Sequence, residues 1–539
     1  MNSKYIFVTG GVCSSLGKGI TTASIGAIMK AAGFKVFTMK LDPYLNVDPG
    51  TMNPFQHGEV FVTDDAAETD LDLGHYERFI DENLSALSSV TTGKIYTEVL
   101  AKERKGDFLG GTIQIIPHIT NAIKEKIYSA AKKSGADIIL AEIGGTVGDI
   151  EGLPYLETIR QIRHEIGKEN SLFVHLTLLP YLKAAKELKT KPTQVSVREL
   201  RSIGIQPDII MLRADHAIQK EILEKISLFC DVDLPAVIPA NTMKSIYEVP
   251  LNFQKFGLGE LIGQKLEMGE IKPNLEEWIS VNEKINQKRD LLPIALIVKY
   301  GRVEDAYISV VESLKIACFQ NQRDLDLKWI DAEKLEQNDE ESWNQLKSCK
   351  GILVPGGFGT RGIEGKIIAA KYARENKIPY LGICLGLQMM TIEYARHILK
   401  DPHITSEEFD EEKEYQEKHI IHFLPGQNIN RAKGGTLRLG AYKCKILKNT
   451  LADKIFQKEE ISERHRHRYE INNDFIKKLK NTDFIVSGIH EYKDGHLVEI
   501  AELKNHPFMI GTQSHPEFLS RPNRPHPLFD AFIKISSKN

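Results

Sequence analysis

Cys384 stands between Gly382 and Gly386 in the run Leu381-Gly382-Ile383-Cys384-Leu385-Gly386-Leu387, after an apolar stretch from Ile378 and at the head of a helical pattern. This is the thiol counterpart of the G-x-S-x-G elbow, in which flanking glycines allow a tight strand-to-helix turn that lifts a nucleophile onto the sheet edge. A sulfur at a helix N-terminus also meets the positive end of the helix dipole, which favours the reactive thiolate. Downstream, Gln513-Ser514-His515-Pro516-Glu517 offers an imidazole base and a carboxylate to orient it. The turn Pro355-Gly356-Gly357-Phe358-Gly359 can present backbone N–H groups to an oxyanion, worth about 3–4 kcal/mol per donor in hydrolases. A lone cysteine is more often inert core than nucleophile. The glycines, the turn and the His-x-Glu pair together point to attack on an amide carbon.

A second chemistry sits near the N-terminus. Gly10-Gly11-Val12-Cys13-Ser14-Ser15-Leu16-Gly17-Lys18-Gly19 follows a strand and opens a helix, so its N–H groups can cradle phosphates while Lys18 adds a point charge. It departs from G-x-x-x-x-G-K-[ST] in spacing, and Gly19 replaces the hydroxyl residue that commonly ligates magnesium. Acidic side chains should therefore carry more of the metal binding. Candidates are Asp70 and Asp72, alternating in Glu68-Thr69-Asp70-Leu71-Asp72, and Glu142 at the end of a strand. Hard oxygen ligands beside triphosphates suit Mg2+.

Two further groups could recognise anions. In Lys189-Thr190-Lys191-Pro192-Thr193-Gln194 the proline favours an extended Lys191, which would point with Lys189, and Thr193 could cap the helix that follows. Arg464-His465-Arg466-His467-Arg468, read as a strand, places arginines on one side and histidines on the other. Guanidinium pairs bidentately with carboxylates, so a clamp for the carboxylate of a free amino acid fits it better than nucleic-acid binding.

The elements that must hold these groups alternate. Strands are expected at Tyr5–Thr9, Lys35–Lys40, Asp137–Glu142, Leu172–Leu178, Asp208–Leu212 and Ala236–Pro239, with helices at Thr21–Ala32, Ile119–Lys133, Leu153–Ile166 and Thr193–Ser202. The pattern lapses near Glu270, and residues 271–292 read as a linker with a surface helix. It resumes with strands Ile294–Lys299, Leu325–Ile330, Gly351–Pro355 and Pro379–Ile383, then β-rich sequence to about Thr512. The fold class is α/β with two doubly wound domains, a P-loop-type parallel sheet over 1–270 and a second over 293–539. The acidic run Glu407 to Glu417 reads as a solvated loop.

Bulk properties exclude several classes. With 539 residues, 27% charged and a net charge of −3, no global field points to nucleic acid or an anionic membrane. No apolar run reaches the roughly 18 residues of a membrane helix. Six scattered cysteines without a C-x-x-C pair argue for a reducing, cytoplasmic compartment, no disulfide framework and no zinc site.

Taken together, these residues resemble the CTP synthase family along the whole chain. The resemblance is carried by Tyr5-Ile6-Phe7-Val8-Thr9 through Gly19, Met39-Lys40-Leu41-Asp42-Pro43-Tyr44, Gln56-His57-Gly58-Glu59-Val60, Asp70 through Phe79, Glu142 through Glu151 and Lys189 to Gln194. The C-terminal motifs are shared with class I glutamine amidotransferases generally, whereas the N-terminal set is specific to the family. The resemblance implies that ATP phosphorylates O4 of UTP, glutamine hydrolysis by Cys384, His515 and Glu517 releases ammonia, and ammonia displaces the phosphate to give CTP, the last step of de novo CTP synthesis.

It further implies ATP contacts at Ser15, Leu16, Gly17, Lys18, Gly19, Ile20, Lys40, Asp72 and Met243, with Mg2+ on Asp72 and Glu142. UTP and inhibitory CTP would meet Ser14, Asp149, Ile150, Glu151, Lys189, Thr190, Lys191, Pro192, Thr193, Gln194 and Lys225. Glutamine would meet Gly357, Leu385, Gly386, Leu387, Gln388, Glu408 and Arg468, and His57 would gate an ammonia passage. GTP is implied as activator, and a homotetramer, with filaments in some members, as the assembly; no nucleic acid or membrane partner is implied. Departures from the family pattern are Cys13 in place of an aliphatic residue, Ser514 where an aromatic is frequent, and a short segment over 405–433. A catalytically silent scaffold and a different ATP-dependent amidoligase are the alternatives.

Overall fold

The computed structural model describes residues 3–299, 301, 303–410, 412–424, 437–492 and 495–539. The chain divides into two compact units, Met1–Pro49 with Asp72–Ile285, and Gly50–Leu71 with Asn286–Asn539. Among the described residues no helix is long and apolar enough to cross a membrane.

The first unit is built on strands β1 (Lys4–Gly10), β2 (Val36–Asp42), β3 (Ser89–Thr91), β4 (Ile138–Ile143), β5 (Ser171–Leu178), β6 (Ile209–Ala214) and β7 (Val237–Asn241). They form one sheet in the order β7-β6-β5-β1-β4-β2-β3, with every pairing parallel. Ile6, Phe7 and Val8 of β1 are wholly buried, as a parallel sheet covered on both faces requires. The chain runs outward from β1 to β3 on one side and later to β7 on the other. The direction therefore switches at β1, where α/β sheets bind ligands beyond the strand ends. Strand β3 escapes prediction because three residues show no periodicity.

In the second unit, β8 (Leu291–Val298), β9 (Asp324–Asp331), β10 (Gly351–Val354), β11 (Tyr380–Ile383), β12 (Arg438–Ile446), β13 (Glu460–His467), β14 (Phe484–Tyr492), β15 (Gly495–Leu503) and β16 (Met509–Thr512) form a mixed sheet. Its order is β9-β8-β10-β11-β16-β15-β14-β12-β13. The first five are parallel and the rest antiparallel. The α/β expectation holds, with four antiparallel strands extending the parallel part of the sheet.

Two boundaries differ from the composition-based ones. Residues 50–71 belong with the second unit, because Val60, Phe61 and Val62 are buried there and Phe61 packs on Phe518 with ring centroids 4.8 Å apart. The stretch expected as a linker holds helix Glu276–Asn286, whose Val281 and Asn282 are buried. Its Trp278 packs on Phe79 at 5.2 Å, so most of the helix is part of the first unit rather than a free surface element.

Candidate active sites

Cys384 is the N-cap of helix Leu385–Leu399, with φ 52° and ψ −101°, a conformation L-residues rarely hold. Close packing on both sides imposes it. A Cβ on Gly382 would lie 2.6 Å from the Gly386 carbonyl carbon, and one on Gly386 would lie 2.1 Å from the Val354 carbonyl oxygen. The turn is pinned by the Cys384 N–H donating to the Thr512 carbonyl at 2.7 Å and by the Tyr380 hydroxyl donating to the Gly386 carbonyl at 2.8 Å.

His515 Nδ1 lies 2.7 Å from Glu517 Oε1, and Cys384, His515 and Glu517 are all buried. Burial disfavours the imidazolium, but the charge of the Glu517 carboxylate, with Cys384 acting in the same direction, outweighs it and pushes the His515 pKa up to about 10. The paired carboxylate thus favours the protonated ring. Sequence reasoning missed Gln513, whose Nε2 donates to Cys384 Sγ at 3.5 Å and whose Oε1 accepts from Gln388 Nε2 at 3.2 Å. Its place two residues before His515 was the available signal.

The turn 355–359 lies against the elbow. Leu385 is the first residue of its helix, so its N–H has no intrahelical acceptor. A Cβ on Gly357 would touch Leu385 Cδ2 at 3.5 Å, and one on Gly356 would sit 2.9 Å from His515 Cε1 and 3.6 Å from Cys384 Cβ. Lys299, which the sequence reading did not single out, donates from Nζ to the carbonyls of Phe358 at 3.0 Å and Gly359 at 2.5 Å. A lysine ending an apolar strand at the ligand edge of a sheet was the signal for it. Glu408 Oε1 accepts from the Gly359 N–H at 2.7 Å; burial raises its pKa, opposed by that N–H, Lys299 and Arg468.

Several expectations change here. Arg464 is wholly buried and donates from Nε to Asp64 at 2.6 Å, while Arg466 donates to Glu68 at 2.8 Å. These two arginines clamp carboxylates of the chain's own 50–71 segment, not those of a ligand, and Arg468 alone of the three acts on Glu408. The acidic run is not a purely solvated loop: Glu407 accepts from the Phe423 N–H at 2.9 Å, and Asp410 lies 2.7 Å from His419 Nε2. Leu387 is core, so only its backbone can meet a ligand; Gly386 is likewise packed. His57 is exposed at the end of the short helix Pro54–His57 in the second unit. Of the short segment over 405–433, residues 411 and 425–433 lie outside the described residues.

In the first unit, the phosphate loop enters helix Lys18–Ala31 through Gly17 at φ 100°, with Ser15 also at positive φ. Lys18 Nζ donates to the Gly145 carbonyl at 2.7 Å. Asp72 packs over Gly19, where a Cβ would be 1.9 Å from Oδ1, and it pairs with Lys40. Lys40 and Glu142 are register partners on adjacent strands, and Tyr76 donates its hydroxyl to Glu142. Burial and the Asp72 charge push the Glu142 carboxyl up to about 7 against Lys40 and Lys18. Asp72 is held below its usual value: burial works the other way but is outweighed by Lys40, His75 and Lys18. A buried and a half-buried carboxylate that repel each other fit Mg2+, which takes one or two protein carboxylates and completes its shell with phosphate and water. Among the described residues no group of three or more His, Cys, Asp and Glu side chains could hold a metal. Asp70 falls in the other unit.

The remaining expected contacts also sit beyond strand ends. Met243 follows β7 and is half-buried; Ser14, Leu16 and Ile20 lie in or beside the loop, with Leu16 turned inward. Asp149 accepts from the Thr146 N–H at 2.7 Å, and Ile150 and Glu151 are exposed. The lysine loop departs from expectation. Helix Lys191–Ser202 starts at Lys191 with Pro192 in its first turn, where a missing N–H costs nothing. Lys191 is thus helical, and Thr193 does not cap: its hydroxyl meets Thr177 at 3.0 Å and the Leu178 carbonyl at 3.1 Å. Lys189 pairs with Glu187, on which Lys225 also acts; Gln194 Nε2 donates to Thr190 at 3.1 Å.

A cysteine elbow, a His–Glu pair and a mixed sheet define the second unit as a class I glutamine amidotransferase, and residues 302–535 match the family model "Glutamine amidotransferase class-I". Residues 4–268 match "CTP synthase N-terminus". The chain is 54% identical over 536 residues to CTP synthase of Dehalococcoides mccartyi, covering 99% of this chain and 97% of that one. It is 54% identical over 535 residues to CTP synthase of Bacillus subtilis, covering 99% and 98%. A solved Trypanosoma brucei CTPS glutaminase domain with bound acivicin is 34% identical, covers 46% of this chain and 94% of that one, and has a TM-score of 0.43. The chain belongs to the CTP synthase family of glutamine-hydrolysing ligases.

Proposed function

We propose that the protein converts UTP to CTP in two coupled half-reactions, with glutamine or free ammonia as nitrogen source. In the second unit the Cys384 thiolate attacks the carboxamide carbon of glutamine. The developing oxyanion is met by the Leu385 and Gly357 N–H groups. The His515 imidazolium gives its proton to the leaving nitrogen, releasing ammonia and a glutamyl thioester; water, deprotonated by the now neutral ring, then frees glutamate. Glu408 and Arg468 carry the charges that suit the α-amino and α-carboxylate groups of glutamine, with Gln388 beside them.

In the first unit Lys18, the loop N–H groups and Lys40 hold the ATP phosphates, and the γ-phosphoryl group passes to O4 of UTP, leaving ADP. Mg2+, held by Asp72 and Glu142, would neutralise phosphate charge when bound. Ammonia then attacks C4 and phosphate departs. Because ammonia at neutral pH is mostly ammonium, a poor nucleophile, it is passed between the sites out of contact with bulk water, with His57 at the gate. Ser14, Asp149–Glu151, Lys189–Gln194 and Lys225 take UTP and inhibitory CTP, Met243 lies at adenine, GTP activates glutamine hydrolysis, and the assembly is a cytoplasmic homotetramer.

The observation that carries this reading is that both chemistries are intact in one chain: Cys384–His515–Glu517 in one unit and Lys18–Lys40–Asp72–Glu142 in the other. Its test is CTP formation from UTP and ATP. Cys384→Ala should abolish glutamine-dependent synthesis and spare the ammonia-dependent reaction, whereas Lys18→Ala should abolish both. Equal loss of both in Cys384→Ala, or ammonia-driven synthesis by Lys18→Ala, contradicts it.

A further inference from the structure

His175 has no part in the chemistry above, yet it lies wholly buried where three elements of the first unit meet. On the sheet it is the register partner of Thr9, the penultimate residue of β1. Its Nδ1 is 2.8 Å from Thr9 Oγ1 and its Nε2 is 2.9 Å from Ser196 Oγ. Burial, with Lys18 nearby, pushes its pKa down to about 3, so the ring is neutral and has one donor and one acceptor nitrogen. The Thr9 hydroxyl donates to the Val174 carbonyl at 3.4 Å. The imidazole thus bridges the two hydroxyls, one at each ring nitrogen. The result is a hydrogen-bonded chain from Ser196 through His175 to Thr9 and the β5 backbone.

This chain joins two ligand loops. Thr9 leads directly into Gly10-Gly11, the start of the phosphate loop, and a Cβ on Gly11 would lie 1.6 Å from Ser196 Oγ. Ser196 sits on helix Lys191–Ser202, which begins inside the lysine loop. Thr193, three residues earlier and so on the same helix face, makes the second link, to Thr177. Thr177 and His175 are two apart on β5 and share a face of the strand. The helix that carries the lysine loop is thus tied at two points to β5 and, through the imidazole, to the strand that carries the phosphate loop. A shift of either loop on binding a ligand must break these hydrogen bonds in a buried setting or carry the other loop with it.

We propose that Thr9, His175 and Ser196 are positioning residues that couple the phosphate loop to the lysine loop, so that a nucleoside triphosphate bound at one tightens binding of the pyrimidine nucleotide at the other. This rests on the proposed assignment of ATP and UTP to those loops. The test measures the UTP dissociation constant on the full chain, with and without adenylyl imidodiphosphate and Mg2+, in wild type, Thr9→Val, Thr9→Ser and Ser196→Ala. Wild type should bind UTP at least about fivefold tighter with the analogue, the low end of ordinary coupling. Thr9→Val and Ser196→Ala should lose most of that ratio, and Thr9→Ser, which keeps the hydroxyl, should retain it. A merely structural role would lower the thermal midpoint of the variants and leave the ratio as in wild type; that result overturns the proposal, as does a wild type that binds both nucleotides without coupling. A wild type that binds neither overturns the functional reading as well.

Discussion

Replacing Glu517 by Gln tests the glutaminase where its electrostatics are sharpest. The change keeps the shape of the side chain but removes the charge that lies 2.7 Å from His515 Nδ1. A charge-assisted hydrogen bond in a buried site contributes about 1.5–3 kcal/mol, and 1.4 kcal/mol is a factor of ten, so glutamine-dependent turnover should fall about ten- to hundredfold. The direction with pH follows from the imidazole. Its pKa is raised from 6.5 to about 10, so the stability it contributes is fully present below about 6.5 and lost as pH rises through about 10. Without Glu517 the imidazolium loses its main support.

The assay is alkylation of Cys384 by iodoacetamide across pH, read beside glutaminase turnover. In the variant the rate at pH 7 should fall with turnover and recover at alkaline pH, where a thiol ionises unaided. Ammonia-dependent CTP formation should be unchanged, which shows that the chain is folded. Glutamine turnover within about threefold of wild type, with unchanged alkylation at pH 7, would refute the assignment of Glu517 as the group that holds His515 charged.

Gly356→Ala should abolish glutamine hydrolysis while sparing the ammonia reaction, because its Cβ would sit 2.9 Å from His515 Cε1; steady-state kinetics with each nitrogen source decides. Glu142→Gln should raise the thermal midpoint of the ligand-free protein at pH 8, where the glutamate is forced to ionise beside Asp72, yet abolish ammonia-dependent synthesis. A lowered midpoint would contradict the repulsion inferred between the two carboxylates. Asp64→Ala leaves the wholly buried Arg464 without its 2.6 Å partner and should destabilise the second unit by about 1–3 kcal/mol, read by urea denaturation.

What the sequence shows about these sites divides by range. The cysteine elbow and the phosphate loop are legible because a strand, glycines and a helix follow one another within a few residues, and local sterics decide the conformation. Six of the seven strands of the first sheet are legible for the same reason. The fate of Arg464 and Arg466 is not legible, since their carboxylate partners Asp64 and Glu68 come from a segment that is remote in sequence. A guanidinium fork satisfies a ligand carboxylate and a protein one equally well, so composition cannot separate the two. The helix at Lys191 is misread for a subtler reason: the bias of a residue before proline toward extended backbone yields in the first turn of a helix, where no N–H is required.

The 355–359 turn shows why the illegible contacts matter most. An oxyanion site works only if its N–H groups are aimed before the substrate arrives, and a glycine-rich turn left to itself would satisfy them elsewhere or fluctuate. The chain holds this turn by its opposite groups. Lys366, wholly buried, donates to the Pro355 carbonyl at 3.0 Å; Lys299 takes the Phe358 and Gly359 carbonyls; and Glu408 takes the Gly359 N–H. Lys366 is held well below its usual pKa by burial and by Lys299, a cost that an apolar side chain of the same length would avoid. Together with the strained backbone of Cys384, that cost is stability given up at the turn, which is what the proposed oxyanion role of the Gly357 and Leu385 N–H groups requires.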